Sequence, residues 1–199
     1  MNHTIKIIGI DPALRNTGLA LAEVDLVTFE WKVTKIHLIQ TENDKTLGKS
    51  VRKSSQDLAA AKHLHDEMQA FFAASGAAMA VGEVPTGTQS ARGSFSNGVC
   101  CGLLASVPVP LIEVNPTEVK MASVGHKYGA KEEIIEWAVA KFPDLNWAYR
   151  KLHGKYVLKN ENEHMADAVS TIPAAIKTQQ FQHAAAMMRS ALLGLTLAA

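Results

Sequence analysis

The segment Ile7-Ile8-Gly9-Ile10-Asp11-Pro12-Ala13-Leu14-Arg15-Asn16-Thr17-Gly18-Leu19-Ala20-Leu21 constrains the fold more than any other part of the chain. An apolar run ends in a carboxylate, a turn follows, and a second apolar run begins. Proline has no N–H to give to a central ladder and glycine suits the return of the chain, so the segment reads as strand, turn, strand. Asp11 then stands at the end of the first strand. A carboxylate at the rim of a buried strand is costly unless it is paired, hydrogen-bonded or bound to a cation. Taken alone, an Asp-Pro turn cap accounts for Asp11 equally well. A second carboxylate delivered in the same way tips the reading. Ala77-Ala78-Met79-Ala80-Val81-Gly82-Glu83 is another short apolar strand ending in an acid, and Pro85 follows.

The rest of the chain extends this pattern. Residues 5–10, 18–24 and about 29–39 read as three strands joined by short turns, the third alternating apolar and polar from Phe29 to Leu38. The polar stretch Thr41 to Ser55, with Lys45, Lys49, Arg52 and Lys53, reads as a loop that is either mobile or in contact with a charged ligand. Asp57 to Ala74 is a helix: Leu58, Ala61, Leu64, His65, Met68, Phe71 and Phe72 recur at helical spacing, and Gly76 closes it. After the strand ending at Glu83 comes a small-residue helix over 88–106, intrinsically weak because of Gly93, Gly98 and Gly102. Pro110 to Val114 is a fifth strand, and Asn115 caps a short helix that has Pro116 at its first position. Ala130 to Phe142 is amphipathic. Residues 143–162 are aromatic and basic without a period, 163–175 form a helix, and 179–197 form an Ala/Leu/Met-rich terminal one. The order predicts three antiparallel strands, then parallel crossovers. With the first and fourth strands paired in parallel, Asp11 and Glu83 emerge side by side, at the sheet edge where ligands of open α/β sheets gather.

Composition narrows the function. The 199 residues suit one domain with a full core, and 47% apolar content with 6% aromatic suits a soluble α/β protein. No apolar run reaches the roughly 18 uncharged residues of a membrane span, and the first residues lack the layout of a signal peptide. Cys100 and Cys101 are adjacent, a poor arrangement for a disulfide framework or a zinc site, so a reducing, cytoplasmic setting is expected. Net charge is +1, yet eight Lys/Arg face four acids between Lys120 and Lys159. That excess suits a phosphate backbone, although charge alone is explained better by an ordinary solvated face.

A third component is Glu161-Asn162-Glu163-His164-Met165-Ala166-Asp167-Ala168-Val169. His164 and Asp167 are three apart and share a helical face, while Met165, Ala168, Val169 and Ile172 occupy another. As a pair they are explained better as N-terminal helix residues, with Asp167 serving the helix dipole. Brought to a sheet edge that bears Asp11 and Glu83, they make three carboxylates and an imidazole. Such a cluster repels itself without cations, and its oxygen-rich donor set suits Mg²⁺ or Mn²⁺.

These motifs together resemble the RuvC-type Holliday junction resolvases of the RNase H-like superfamily, over roughly residues 5–177. The carriers are Gly9-Ile10-Asp11-Pro12 with Arg15 and Gly18, the strand ending at Glu83, and Ala91-Arg92-Gly93. Val119-Lys120, Ala130-Lys131 and His164-Met165-Ala166-Asp167-Ala168 complete the set. The resemblance implies an RNase H-like α/β fold with a five-stranded mixed sheet flanked by helices, in one nuclease domain over 1–199. Relative to typical bacterial members, about 143–162 is an insertion and about 179–197 an added helix. It also implies a homodimer that cuts four-way DNA junctions by paired symmetric cuts, leaving 5′-phosphate and 3′-hydroxyl ends. Asp11, Glu83, His164 and Asp167 are then the ligands of two Mg²⁺ or Mn²⁺ ions, His164 replacing an acid found in many members. Lys120 and Lys131 attend the scissile phosphate, and Arg15, Arg92 and the Thr86 region contact DNA.

The family often has an aromatic residue three positions after the Glu, where this chain has Thr86. That departure and the aromatic insertion are similar to bacteriophage members, and place the protein in a bacterial or phage-infected cytoplasm. They keep open a broader branched-DNA nuclease with the same metal site. A catalytically silent junction-binding protein is disfavoured by the intact acids. An actin-like sugar kinase or ATPase needs two such domains, for which 199 residues are too few.

Overall fold

The computed structural model describes residues 3–41 and 52–197. Lys45 and Lys49, expected in a polar loop, lie outside the described residues. The order of elements is β1 (Thr4–Asp11), β2 (Asn16–Asp25), β3 (Trp31–Gln40), α1 (Lys53–Ser75), β4 (Met79–Glu83), α2 (Ala91–Ala105) and β5 (Leu111–Val114). There follow α3 (Pro116–Ser123), α4 (Lys131–Lys141), β6 (Tyr149–Leu152), β7 (Lys155–Leu158), α5 (Asn162–Ile176) and α6 (Gln179–Leu197). Strands β1 to β5 form one sheet in the order β3-β2-β1-β4-β5. The pairs β1–β2 and β2–β3 are antiparallel, and β1–β4 and β4–β5 are parallel, as the sequence pattern predicts.

The two-residue period of β1 and β2 divides the core into two layers. Ile8, Ile10, Leu19 and Leu21 pack with Leu64, Met68, Phe71 and Phe72 of α1 and with Leu103 and Leu104 of α2. On the opposite face Ile7, Ala20, Ala22 and Val24 pack with Met165, Ala166, Val169 and Ile172 of α5, and with Phe181 and Ala185 of α6. Helix α5 is buried on nearly every side. Its Ser170 and Thr171 hydroxyls donate to the Ala166 and Ala168 carbonyls of their own helix, so no polar group is stranded there.

Local signals decide the ends of the elements. Gly76 closes α1 in the left-handed region at φ 67°, and Asn115 caps α3 in a capping box with Glu118. Helix α1 begins at Lys53, four residues before the expected Asp57. Its first turn, Lys53 to Gln56, is polar and solvent-facing and carries no apolar period to read. The buried stripe also runs one notch away from the expected one. Asp57, Ala60, Leu64, Met68, Phe71 and Phe72 face inward, whereas Leu58 is 71% exposed and His65 lies outside. The stretch 143–162, without a helical or strand period, contains the hairpin β6–β7. Its turn residues His153 and Gly154 both have positive φ, the geometry that suits a two-residue turn to the twist of its strands.

Candidate active site

Register places the two strand-end acids. Ile10 pairs with Gly82 across β1 and β4, so the next positions, Asp11 and Glu83, are neighbours at the carboxyl edge of the sheet. Both point to the α5 layer, the face that carries Ile7 of β1 and Val81 of β4. Glycine sets how closely α5 approaches. A β-carbon at Gly9 would stand 2.2 Å from the Ala168 carbonyl oxygen, and one at Gly18 would stand 1.9 Å from that of His164. Gly18 is paired with Asp11 in the ladder, so the position next to the acid is left bare and the first turn of α5 settles against it.

That contact brings His164 to Asp11, with Nδ1 2.7 Å from Oδ2 and both side chains about one-fifth exposed. Burial disfavours the charged His164 ring, but the bond to Asp11 and the charges of Asp11, Glu163 and Asp167 outweigh it and raise its pKa above the ordinary value. Glu83 is pushed up to about 7, by burial first and the Asp11 charge second, while Lys120 draws it down. Asp167 is raised further by burial and by the charges of Asp11, Glu83 and Glu163. The acids therefore feel one another as a cluster.

The lysines stand on the far wall. Glu83, Asp167, Lys120, Lys131 and Glu163 line a cleft of about 120 Å³ roofed by Val119 and Ile134. Lys120 acts on Glu83 without bonding it, whereas Lys131 forms an ion pair with Glu163 at 2.5 Å. Glu163 is a site residue that the motif reading passed over. Its position four before Asp167, on the same helical face, is the signal that would have found it.

On the other side of His164, Arg15, Arg92, Asn97 and Cys100 line a cleft of about 340 Å³. Both arginines converge on Asp57, which is 2% exposed. Arg15 Nη2 lies 3.0 Å from its Oδ1, and Arg92 grips both carboxylate oxygens. Asp57 is the second residue that sequence reasoning missed, read only as the start of a helix. Its bond to Arg92, ahead of burial, holds its carboxyl below the usual range. Thr86 is exposed in the coil after β4, where its carbonyl accepts from Asn97 Nδ2 at 2.7 Å. The Cys100 thiol is pushed up to about 11 by burial and by the Asp11 charge, which keeps it from acting as a thiolate.

Among the described residues, no three His, Cys, Asp or Glu side chains are drawn together tightly enough to grip an ion as they stand. The donor chemistry nonetheless fits a hard divalent cation. Three carboxylates and one imidazole share this edge, and burial together with the mutual charge of the acids raises the pKa of Glu83 and Asp167, a cost that a bound cation would relieve. No described helix is long and apolar enough to cross a membrane.

No protein-family model and no curated protein matches the sequence. Solved structures do match. Thermus thermophilus RuvC in complex with a Holliday junction substrate aligns with a TM-score of 0.62 at 15% identity, over 89% of this chain and 98% of that one. The yeast mitochondrial Holliday junction resolvase Ydc2 gives 0.54 at 14% identity, over 92% and 85%. The fowlpox virus resolvase bound to Holliday junction DNA gives 0.53 at 13% identity, over 87% and 97%. The chain has the RNase H-like α/β fold on which these three resolvases are built.

Proposed function

We propose that this protein is a divalent-metal-dependent endonuclease of branched DNA that resolves four-way junctions by paired cuts. The observation that carries the reading is the cluster at the carboxyl edge of β1 and β4. There His164 is bonded to Asp11, and Glu83, the next position across from Asp11 in the β1–β4 register, and Asp167 both have their pKa raised, by burial first and by the neighbouring carboxylates second. The shared fold with junction resolvases supports it. Asp11, Glu83 and Asp167, with His164, would hold Mg²⁺ or Mn²⁺. When bound, the metal supplies Lewis-acid activation of water and neutralises charge at the phosphodiester.

The chain's own residues do the positioning. His164 holds the Asp11 carboxylate in one orientation. Lys120 adds positive charge beside Glu83, and Lys131, shared with Glu163, adds more from the same wall. Arg92, fixed by Asp57 and half-exposed, offers its remaining N–H groups to the DNA backbone, a contact that positions without reading sequence, while Arg15, whose Nη1 is buried, adds positive charge behind it. The products expected are 5′-phosphate and 3′-hydroxyl ends. Paired cuts need two active sites related by a two-fold axis, hence a homodimer. Helix α2 is our interface candidate: Gly98 and Gly102 have open space where a side chain would be, and Phe95 is 44% exposed.

The second reading, a less selective nuclease of flaps, forks and junctions, is favoured by Thr86. It is small and exposed, and it offers no ring to insert at a junction centre. One experiment addresses both readings. Purified protein is incubated with a mobile four-way junction and Mg²⁺ or Mn²⁺, with a flap, a splayed duplex and linear DNA in competition. Paired symmetric nicks confined to the junction are expected, and comparable cutting of every branched form selects the second reading. Asp11→Asn should abolish cleavage while junction binding persists. Retained cleavage would remove Asp11 from the mechanism.

A further inference from the structure

The hairpin β6–β7 has a surface unlike the rest of the molecule. Between Asp144 and Glu161 the chain holds no acid, and it carries Arg150, Lys151, Lys155 and Lys159. The register puts Tyr149, Lys151 and Tyr156 on one face of the hairpin and Arg150, Leu152 and Lys155 on the other. Tyr156 is 75% exposed and Tyr149 46%. The root, by contrast, is fixed. Trp147 is buried, and its indole N–H donates to the Phe142 carbonyl at 2.8 Å. The fully buried Asn162 accepts from the Ala148 N–H at 2.8 Å and donates to the Ala148 carbonyl at 2.7 Å. A rigid base thus holds out a tip of aromatic rings and cations.

The root also leads to the acids. Leu158, Lys159 and Asn160 line a cleft of about 430 Å³ together with Lys131 and Glu163, and those last two line the catalytic cleft with Glu83 and Asp167. Glu132 and Glu136 also line the wider cleft and repel phosphate there, which favours the exposed surface of the hairpin for a DNA strand.

We propose that β6–β7 captures an unstacked nucleotide at the branch of the DNA substrate. Tyr149 and Tyr156 give stacking surfaces for bases, and Arg150, Lys151 and Lys155 hold the flanking phosphates. The proposal rests on the branched-DNA reading and adds to it the element that recognises the branch. Tyrosine rings add little on an intact duplex, whose bases are already stacked, so the aromatic pair points to the open nucleotides of a branch. Charge argues against self-association through this surface, because two such hairpins would repel.

The test uses the full chain without divalent metal. Binding is measured to a four-way junction carrying 2-aminopurine at the branch and to a linear duplex of equal length. Tyr149→Ala/Tyr156→Ala should lose roughly tenfold in junction affinity, leave duplex affinity unchanged and abolish the 2-aminopurine response. Tyr149→Phe/Tyr156→Phe should keep both signals. Arg150→Ala/Lys151→Ala/Lys155→Ala should weaken both substrates and reduce the log–log salt slope by about 2 to 3. Wild-type junction affinity and fluorescence in the double alanine variant overturn the proposal while leaving the branched-DNA reading standing. A change in oligomeric state with unaltered affinity per assembled protein overturns it in favour of self-association. Wild-type protein that fails to bind any branched DNA removes the parent reading, and the proposal with it. Circular dichroism confirms folding, which these exposed positions leave intact.

Discussion

At Gly18 there is room for a hydrogen and nothing larger, since a methyl group would drive the His164 carbonyl, and with it the first turn of α5, away from β1 and β2. Overpacking a tight contact costs about 1–3 kcal/mol. Here it also pulls His164 from Asp11, so Gly18→Ala should lower the urea midpoint and depress cleavage more than its stability loss explains. Gly87→Ala, at a position with nothing within 4 Å of the added carbon, is the control expected to behave as wild type. The acids carry a pH prediction with a definite sign. Glu83 is raised from 4.5 to about 7, and Asp167 and His164 are raised as well. In metal-free protein each group binds its proton more tightly folded than unfolded, so the folded state holds more protons and stability falls as pH rises. The Glu83 share is lost between about 4.5 and 7, and the His164 share as pH climbs past 6.5 and through its higher folded value. Urea melts at pH 5, 7 and 8 should show this decline, Glu83→Gln should flatten its lower part, and Mg²⁺ at pH 8 should restore stability by binding only the folded state.

Helix α5 and the hairpin before it are joined through Asn162, which is fully buried and bonded twice to Ala148. Asn162→Ala leaves both Ala148 groups without their partner, at a cost of about 1–3 kcal/mol. Limited proteolysis should then open the segment around 143–161 well before the rest of the chain. If that segment is cut no faster than in wild type, Asn162 is not its anchor. This element also marks where the sequence stopped being legible. Strands β1, β2 and β4 each carried an apolar run ended by a turn signal, so their order, direction and the meeting of Asp11 with Glu83 followed from pattern. Helix α5 was readable from the spacing of Met165, Ala168, Val169 and Ile172. The hairpin was not, because its strands are only four residues long and lie on the surface, where no apolar alternation is required. His153-Gly154 was its one local cue. Asp57 was hidden for a different reason. A buried acid looks like any helix acid until two arginines distant in sequence are seen to close on it.

At the scale of the whole molecule, a resolvase of the kind proposed would cut one strand at each site, so resolution of a junction would depend on two copies acting before either lets go. The proposed interface allows that dependence to be separated from chemistry. On α2, Gly98 and Gly102 lie one turn apart with open space beyond each Cα. An arginine at either position has open space for its β-carbon and removes a helix-interior glycine, which by itself favours α2 by up to about 1 kcal/mol. Gly98→Arg/Gly102→Arg should therefore yield a monomer as stable as one wild-type subunit or slightly more so, with the Asp11–His164 pair undisturbed. Light scattering reads the mass, and a supercoiled plasmid that extrudes a cruciform reads the coupling of cuts. Wild-type protein should convert the plasmid directly to linear product, because both strands are cut within one encounter. The variant should accumulate nicked circles at a nearly normal first-cut rate under conditions where it binds DNA. A variant that remains dimeric and still linearises would move the interface off α2 without touching the active-site assignment. Loss of the first cut as well would mean that α2 shapes the catalytic cleft itself.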